Sequence, residues 1–180
     1  MPQPCGWRQS DDADQHPEIG CQRGWPPDLP ALLPLFRSQP TFRRLSRLAV
    51  AAFAESDVGD YITQESPAPL RHCLVASTRG NGANRATAIL RLPNEEDGMA
   101  WLGLVLVGRE HQRQGLGREL VRALELEVAR LRWTELRLAV LTGNGAALSF
   151  WRALGYGDPD RRRDQAGRDV LVMSRRPRGD

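Results

Sequence analysis

Apolar residues along this chain fall into short runs that alternate between strand-like and helix-like spacing. Strands are predicted where continuous or alternating apolar residues are bounded by glycine, proline or asparagine. Such runs occupy residues 72–77, 86–92, 99–107, 134–141 and 169–174. The pair Asn81–Gly82 predicts a turn between the first two strands, which makes the start of the sheet antiparallel.

Helical spacing is clearest between residues 115 and 131, where one stripe is formed by Leu116, Leu120, Leu124, Val128 and Leu131. On the opposite, exposed face of this helix we expect the ion pairs Arg122–Glu125 and Glu127–Arg130. A shorter helix is predicted over 144–154.

Two further helices are predicted near the N-terminus. Asp28 is a candidate N-cap for a helix through Phe36. A second helix is indicated by the spacing of Phe42, Leu45, Leu48, Ala49 and Phe53. We expect loops in the acid-rich stretch 55–66 and in the arginine-rich stretch that precedes the last strand. Glu18–Cys21 is the only candidate for a strand ahead of the first helix.

This order of elements predicts one α/β (mixed α+β) domain over residues 28–176. Residues 1–27 show no periodicity and predict a poorly ordered extension, and residues 177–180 form a tail. The chain has no apolar run near the roughly eighteen residues of a membrane span and no signal-peptide pattern, so we expect a cytoplasmic protein.

Cysteine number and charge change this picture little. Cys5, Cys21 and Cys73 have neither metal-ligand spacing nor an even count, so three reduced thiols and no metal are expected. The net charge of +3 could suggest nucleic-acid binding, but the arginines are scattered among acids. We therefore expect no nucleic-acid or membrane partner.

The most informative segment is a glycine-bearing loop, Gln112-Arg-Gln-Gly115-Leu-Gly117-Arg118, between the strand 99–107 and the long helix. Glycines let backbone amides approach a ligand, and a helix N-terminus attracts anions, so a phosphorylated cofactor is expected. The triphosphate-binding pattern fails because no lysine and hydroxyl residue follow Gly117. The dinucleotide pattern fails because Leu120 stands where its third glycine should be.

The loop resembles the acetyl-CoA signature Arg/Gln-x-x-Gly-x-Gly/Ala of the GNAT superfamily of acyl-CoA N-acyltransferases. A second segment strengthens the resemblance: the residues from Asn144 to Tyr156 are similar to that family's Asn-x-x-Ala, Leu/Phe-Tyr and Leu-Gly-Phe/Tyr elements. Trp151 departs from the pattern because it stands where the family usually has tyrosine. The alternative is an unrelated phosphate loop.

The resemblance implies a three-layer fold: a central, mixed, splayed sheet of about six to seven strands flanked by about four helices. It also implies acetyl-CoA as co-substrate, with the pyrophosphate on the loop amides and the pantetheine arm along the preceding strand. The implied contacts are Val105, Leu106, Val107, Gln112, Arg113, Gln114, Gly115, Leu116, Gly117, Arg118, Asn144 and Trp151.

The catalytic groups stay open. The family's usual acid is the tyrosine that Trp151 replaces, and the glutamate of its branch that acetylates ribosomal-protein N-termini is replaced by Ala139. Weak candidates are Glu110 and His111, which a solvated turn also explains; Tyr61 in the acid-rich loop; and Tyr156, which fits the core better. His72 fits a structural histidine better than a catalyst.

Acceptor selection in the family is implied to come from the N-terminal helices, the loop after them and the loop between the last strands. These carry Glu55, Asp57, Asp60, Glu65, Asp158, Asp160 and Asp164. Acids suit a cationic amine, so a small-molecule amine acceptor is expected, although solvated loops explain the same residues. A protein acetyltransferase, a CoA-binding domain without turnover and a homodimer all stay open.

Overall fold

The structure is a computed structural model that describes residues 19–23, 28–48, 52–64, 74–80, 83–93 and 97–177. The described strands are β1 (Ile19–Arg23), β2 (Leu74–Gly80), β3 (Ala83–Arg91), β4 (Ala100–Val107), β5 (Leu136–Leu141), β6 (Gly157–Arg163) and β7 (Asp169–Arg175). The described α-helices are α1 (Leu29–Arg37), α2 (Pro40–Leu45), α3 (Glu55–Gln64), α4 (Leu116–Arg130) and α5 (Gly145–Ala153).

All seven strands form one sheet in the order β1-β2-β3-β4-β5-β7-β6. Every neighbouring pair is antiparallel except β4 and β5, which run parallel. A parallel pair needs a crossover, and α4 supplies it. The mixed α/β sheet of six to seven strands is thereby confirmed, with five helices in the described part rather than about four.

Two apolar cores lie on opposite faces of this sheet. One core joins β3, β4, β5 and β7 to α4 and α5 and includes Leu102, Leu120, Leu138 and Trp151. The other joins β3 and β4 to α1 and α3 and includes Phe36, Ile62 and Leu106. The molecule therefore has three layers, and we call the two outer ones the α4/α5 layer and the α1–α3 layer.

The helix predicted from Phe42 to Phe53 ends at Leu45, so the prediction is wrong for the described residues that follow, 46–48 and 52–53. The chain leaves α2 through Arg47, whose φ is +59°, and the amide of Leu48 donates to the carbonyl of Arg43 at 2.8 Å. This is a Schellman ending, in which a left-handed residue turns the chain away. Glycine usually occupies this left-handed position, so the arginine at position 47 did not indicate the end of a helix in the sequence.

Two predicted loops are also wrong, because the acid-rich stretch contains α3 and the arginine-rich stretch contains β6. The helix forms because Val58, Tyr61 and Ile62 are buried at helical spacing, while Asp57 caps the preceding turn through Ala54 N at 2.7 Å. β6 forms as an edge strand, where side chains with a charge are tolerated in water.

The N-terminal segment predicted as an extension contains β1, near the candidate Glu18–Cys21. The poor order predicted for residues 1–18 and 24–27 concerns residues outside the described part of the chain. The predicted turn at Asn81–Gly82 and residues 178–180 of the tail also lie outside it. Within the described ranges, no helix has both the length and the apolar composition needed to cross a membrane.

Candidate cofactor site

β4 and β5 diverge from one another along their length. Their parallel pairing joins only three residues of each strand, the last being Leu102 with Leu138. Beyond that point β5 stays paired with β7 and β4 stays paired with β3, so the two strands separate like the arms of a V. The V leaves one edge of β4 facing a gap inside the sheet.

A β-bulge at Gly103 marks the point where the V opens. β3 pairs Ile89 with Leu104 and Leu90 with Leu102, so Gly103 is the extra residue. Leu102 consequently packs in the α4/α5 layer and Leu104 in the α1–α3 layer, although residues two apart normally share a face. A Cβ at Gly103 would lie 3.0 Å from Arg91 Nε, so a side chain here would require the Arg91 side chain to shift.

The open edge of β4 can be assigned from its hydrogen bonds to β3. The amide of Gly108 donates to the carbonyl of Arg85 at 2.8 Å. Backbone groups of successive strand residues point to opposite edges of the strand. Leu106, two residues before Gly108, therefore also faces β3, while Val105 and Val107 face the gap. The cofactor contact expected at Leu106 stays a prediction, but the backbone groups of Leu106 face β3 and its side chain is buried in the α1–α3 layer.

The predicted phosphate loop follows directly. A short 3-10 turn, Arg109–His111, leads to Arg113 with φ +64° and then to Gly115 with φ +90°, which is the N-cap of α4. A left-handed φ at two nearby residues bends the backbone tightly, and glycine adopts it without a steric penalty. The amides of Leu116 and Gly117 occupy the first helical turn, where they lack intrahelical acceptors.

The second glycine serves packing. A Cβ at Gly117 would lie 3.3 Å from Phe150 and 3.4 Å from Val107 Cγ2, so glycine lets α4 approach both α5 and the end of β4. The role expected for Gly117, close approach to the cofactor, is therefore joined by a packing role. The Leu116 side chain is buried, so only its backbone amide is available to a ligand.

The polar side chains of the loop divide into two groups. Arg113 and Arg118 are exposed, while the amide of Arg118 donates within α4 to Gly115 O at 2.9 Å. Gln114 donates back to Glu110 O at 2.9 Å, and Gln112 donates to Val107 O at 3.2 Å. The two arginines are thus the cations beside the loop, and the two glutamines hold the loop itself.

Asn144 is the N-cap of α5, and its Oδ1 accepts from the amide of Ala147 at 3.1 Å. This uses the side-chain oxygen for capping, whereas the predicted role was a hydrogen bond to the pantetheine arm. The amide nitrogen of the same side chain keeps its donor capacity.

Trp151 lies in the core between two aromatic rings. α5 ends in a Schellman motif with Gly155 at φ +87° and the amide of Tyr156 bonded to the carbonyl of Trp151 at 3.0 Å. Such motifs bring the two flanking apolar residues together, and the rings of Trp151 and Tyr156 lie 5.1 Å apart. The Leu154-Gly155-Tyr156 segment, which closes the second motif, therefore holds the side chain of Trp151 in the core.

Tyr156 is a structural residue. Its side chain is 2% exposed, and its hydroxyl donates to Glu125 Oε1 at 3.0 Å, while Arg175 Nη1 lies 3.3 Å from the same oxygen. Burial and the neighbouring Glu125 carboxylate raise the pKa of Tyr156 well above its usual range. Glu125 itself is buried, so the prediction of an exposed Arg122–Glu125 pair is wrong. Glu127 and Arg130 do pair, at 2.6 Å, but Glu127 is buried as well, so this pair does not lie wholly on an exposed face.

The other catalytic candidates are spread over the molecule. Tyr61 is buried on α3 between Phe36 and Phe42, not in a loop as predicted. Glu110 and His111 lie in the 3-10 turn, 3.4 Å apart, with the glutamate exposed. His72 lies outside the described residues, as do Cys5 and Cys73 and the side chain of Cys21.

The acids expected to attract an amine are partly engaged. Asp160 pairs with Arg162 at 2.7 Å and Asp164 pairs with Arg168. Glu55 and Asp60 lie exposed on α3. Glu65 and the side chain of Asp158 lie outside the description.

Sequence reasoning missed Gly103 and Gln39. A glycine inside a strand is a known sign of a bulge, so Gly103 could have been found. Gln39 donates to Val107 O from the turn between α1 and α2, and no pattern in the sequence connects residues 68 positions apart.

The sequence profile of the Acetyltransferase (GNAT) family matches residues 31–156, and the chain belongs to this family. No match was found among curated proteins.

Solved structures with the same fold include the ribosomal-protein-S18-alanine N-acetyltransferase of Escherichia coli, with 24% identity, 91% of this chain and 96% of that chain covered, and a TM-score of 0.61. An acetyltransferase of Thermus thermophilus shares 24% identity over 88% and 96% of the two chains, with a TM-score of 0.64. The protein yncA of Salmonella typhimurium, solved with its cofactor acetyl-CoA, shares 16% identity over 91% and 96%, with a TM-score of 0.57.

Proposed function

We propose that this protein is an acetyl-CoA-dependent N-acetyltransferase that acts on a primary amine of a small molecule by direct attack in a ternary complex. The observation that carries the proposal is the V between β4 and β5, which opens beside the glycine N-cap of α4. An internal strand edge next to a helix N-terminus suits a ligand with amides at one end and phosphates at the other.

Acetyl-CoA fits the residues around the V. Val105 offers an N–H and a carbonyl to pantetheine amides, and Val107 offers an N–H. The amides from Arg113 to Gly117, with the exposed side chains of Arg113 and Arg118, suit the pyrophosphate. When bound, acetyl-CoA would supply an activated thioester and a thiolate leaving group. A thiol such as that of cysteine has a pKa of about 8.5, so a thiolate is a feasible leaving group without an acid.

This chain supplies orientation rather than a strong acid. It has two tyrosines, and both are buried in the two cores, so neither serves as a phenolic proton donor at the V. The indole of Trp151 holds its proton too tightly to act as an acid. The open-edge N–H groups of β4 are the donors available to a thioester oxygen. Because positioning alone contributes much of such a rate, water can carry the proton from the amine.

The small-amine acceptor is supported by the α1–α3 layer. Glu55 and Asp60 present exposed carboxylates there, and a carboxylate attracts an amine that is cationic before it reacts.

A second candidate is a protein acetyltransferase. It is favoured by two similar structures, from Escherichia coli and Brucella melitensis, that are named ribosomal-protein alanine N-acetyltransferases. Against it stands Ala139, which is exposed on β5 and offers no carboxylate where the resemblance implies a glutamate.

The test has two stages. Calorimetry with CoA establishes whether the protein binds the cofactor at all. Thiol release from acetyl-CoA is then measured with a panel of diamines, aminoglycosides and N-terminal alanine peptides. Turnover with small amines supports the proposal, and turnover only with peptides favours the second candidate. CoA binding without thiol release from any acceptor indicates a binding domain without turnover.

A further inference from the structure

The helix α2 lies across the open end of the V. At its N-terminal end, Gln39 bonds to the last residue of β4. At its C-terminal end, the Cβ position of Gly143, just past β5, lies 3.0 Å from Leu45 Cδ2. Beyond that end, Ser46 O accepts from Arg168 in the turn between β6 and β7 at 3.4 Å. One short helix thus contacts the ends of both diverging strands.

Gln39 makes the contact on the β4 side. Its Nε2 donates to Val107 O at 2.6 Å, and its Oε1 accepts from Gln112 Nε2 at 3.1 Å. Gln112 Nε2 also donates to Val107 O at 3.2 Å. A backbone carbonyl only accepts, so the amide orientations follow from chemistry: the nitrogen of each glutamine must face Val107 O.

These bonds reduce the number of backbone groups that the open edge of β4 can offer to a ligand. A carbonyl oxygen has two lone pairs, and the two glutamines use both at Val107. A pantetheine arm in the V therefore finds a complete pairing site at Val105 and a donor alone at Val107. The carbonyl at the mouth of the V is closed to it.

We propose that Gln39 is a positioning residue for the cofactor: jointly with Gln112 it holds the end of β4, sets where pantetheine pairing stops, and links α2 to the phosphate loop. The proposal rests on the proposed function. A second link supports it, since Ser38 Oγ accepts from the amide of Arg109 at 3.3 Å, which joins the same turn to the start of the loop.

The test compares Gln39→Met, Gln112→Met and the double variant by calorimetry with CoA. Methionine keeps the shape of glutamine and removes its hydrogen bonds. We expect each single variant to weaken CoA binding about tenfold. The loss of CoA affinity in the double variant should be smaller than the product of the two single losses, because both side chains act on one oxygen.

Arg37→Met is the matched control. Arg37 Nη2 donates to Phe53 O at 2.8 Å, so this change loosens the same layer without touching β4. It should lower the melting temperature and leave CoA affinity unchanged. KM for acetyl-CoA should rise in Gln39→Met with kcat little changed, which general loosening would not produce.

Wild-type affinity for CoA in a folded Gln39→Met protein would overturn the inference. An equal loss of affinity in Arg37→Met would overturn it as well, because the effect would then be general loosening of the layer. A wild-type protein that fails to bind CoA would instead overturn the proposed function, so the two failures are distinguishable.

Discussion

The two faces of the sheet differ in how they use their side chains. On the α4/α5 side, the candidate cofactor contacts are mainly backbone groups, placed by the V between β4 and β5 and by Gly115, with the exposed side chains of Arg113 and Arg118 beside them. On the α1–α3 side, residues expected at an acceptor site serve the fold. Tyr61 packs in an aromatic cluster, and Asp57 caps the turn before α3. The proposed cofactor site is therefore formed mainly by the path of the backbone, whereas the proposed acceptor site would depend on the few side chains that have no role in the fold.

The largest effect is expected from Gly115→Val, which tests whether the chain path makes the site. A β-branched residue at φ +90° is strained, so the loop must change shape and CoA affinity should fall at least a hundredfold by calorimetry. Gly167→Val is the matched control, because Gly167 has φ +71°, open surroundings and a place in the β6–β7 turn. A folded Gly115→Val protein with unchanged affinity would contradict the prediction.

Glu125→Leu tests whether charge in the α4/α5 layer is structural. It leaves the Tyr156 hydroxyl and the Arg175 guanidinium without their carboxylate partner. The free energy of unfolding, measured by urea denaturation, should therefore fall by about 3 kcal/mol. Glu127→Leu should cost less, since the Arg130 side chain is 60% exposed and keeps its water. Equal losses in the two variants would show that the cluster of Glu125, Tyr156 and Arg175 stabilises the fold no more than the Glu127–Arg130 pair does.

Tyr156→Phe gives this cluster a pH signature. In the unfolded chain tyrosine ionises near pH 10, but burial raises its pKa in the folded protein, so above pH 10 the unfolded state binds fewer protons. Wild-type stability should therefore fall as the pH rises beyond 10, and the variant should lose this contribution to the slope. At neutral pH turnover should persist in the variant. A loss of turnover without a loss of CoA binding would return Tyr156 to the list of catalytic candidates.

Trp151→Phe sharpens the comparison, because Trp151 was expected beside the thioester and lies between Phe150 and Tyr156. We expect a stability loss of about 1 to 2 kcal/mol from reduced packing, with turnover retained. Trp151→Tyr should leave turnover unchanged or raise it. A Trp151→Phe protein that binds CoA without any turnover would show that the indole N–H takes part in the reaction.

The smallest effect is expected from Asn144→Ala, compared with Asp28→Ala. Both residues cap helices, α5 and α1 respectively, and each cap contributes about 1 kcal/mol to stability. Only Asn144 lies in the motif attributed to the cofactor, so only its loss should also weaken CoA binding. Equal melting shifts with unchanged CoA affinity in both variants would reduce Asn144 to a cap.

The difference between the faces also explains how much the sequence predicted. Residues 99–156 form consecutive elements with long apolar runs and glycine signals, and the order of these strands and helices was predicted correctly. The phosphate-binding role of the loop among them stays a prediction. The α1–α3 side is built from short elements, and α2 gives the weakest local signals: its N-cap Gln39 makes no side-chain capping bond, and it ends just before the left-handed Arg47. Its contacts, such as Gln39 with Val107, join distant positions, so they follow from the fold and not from local pattern.

The most direct test is the crystal structure of the protein with acetyl-CoA. We predict that the pantetheine arm lies between β4 and β5, hydrogen-bonded to Val105 and to the N–H of Val107, with the pyrophosphate on the amides between Arg113 and Gly117. The carbonyl of Val107 should stay bonded to Gln39 and Gln112. Acetyl-CoA bound elsewhere, with the gap between the strands empty, would contradict the account.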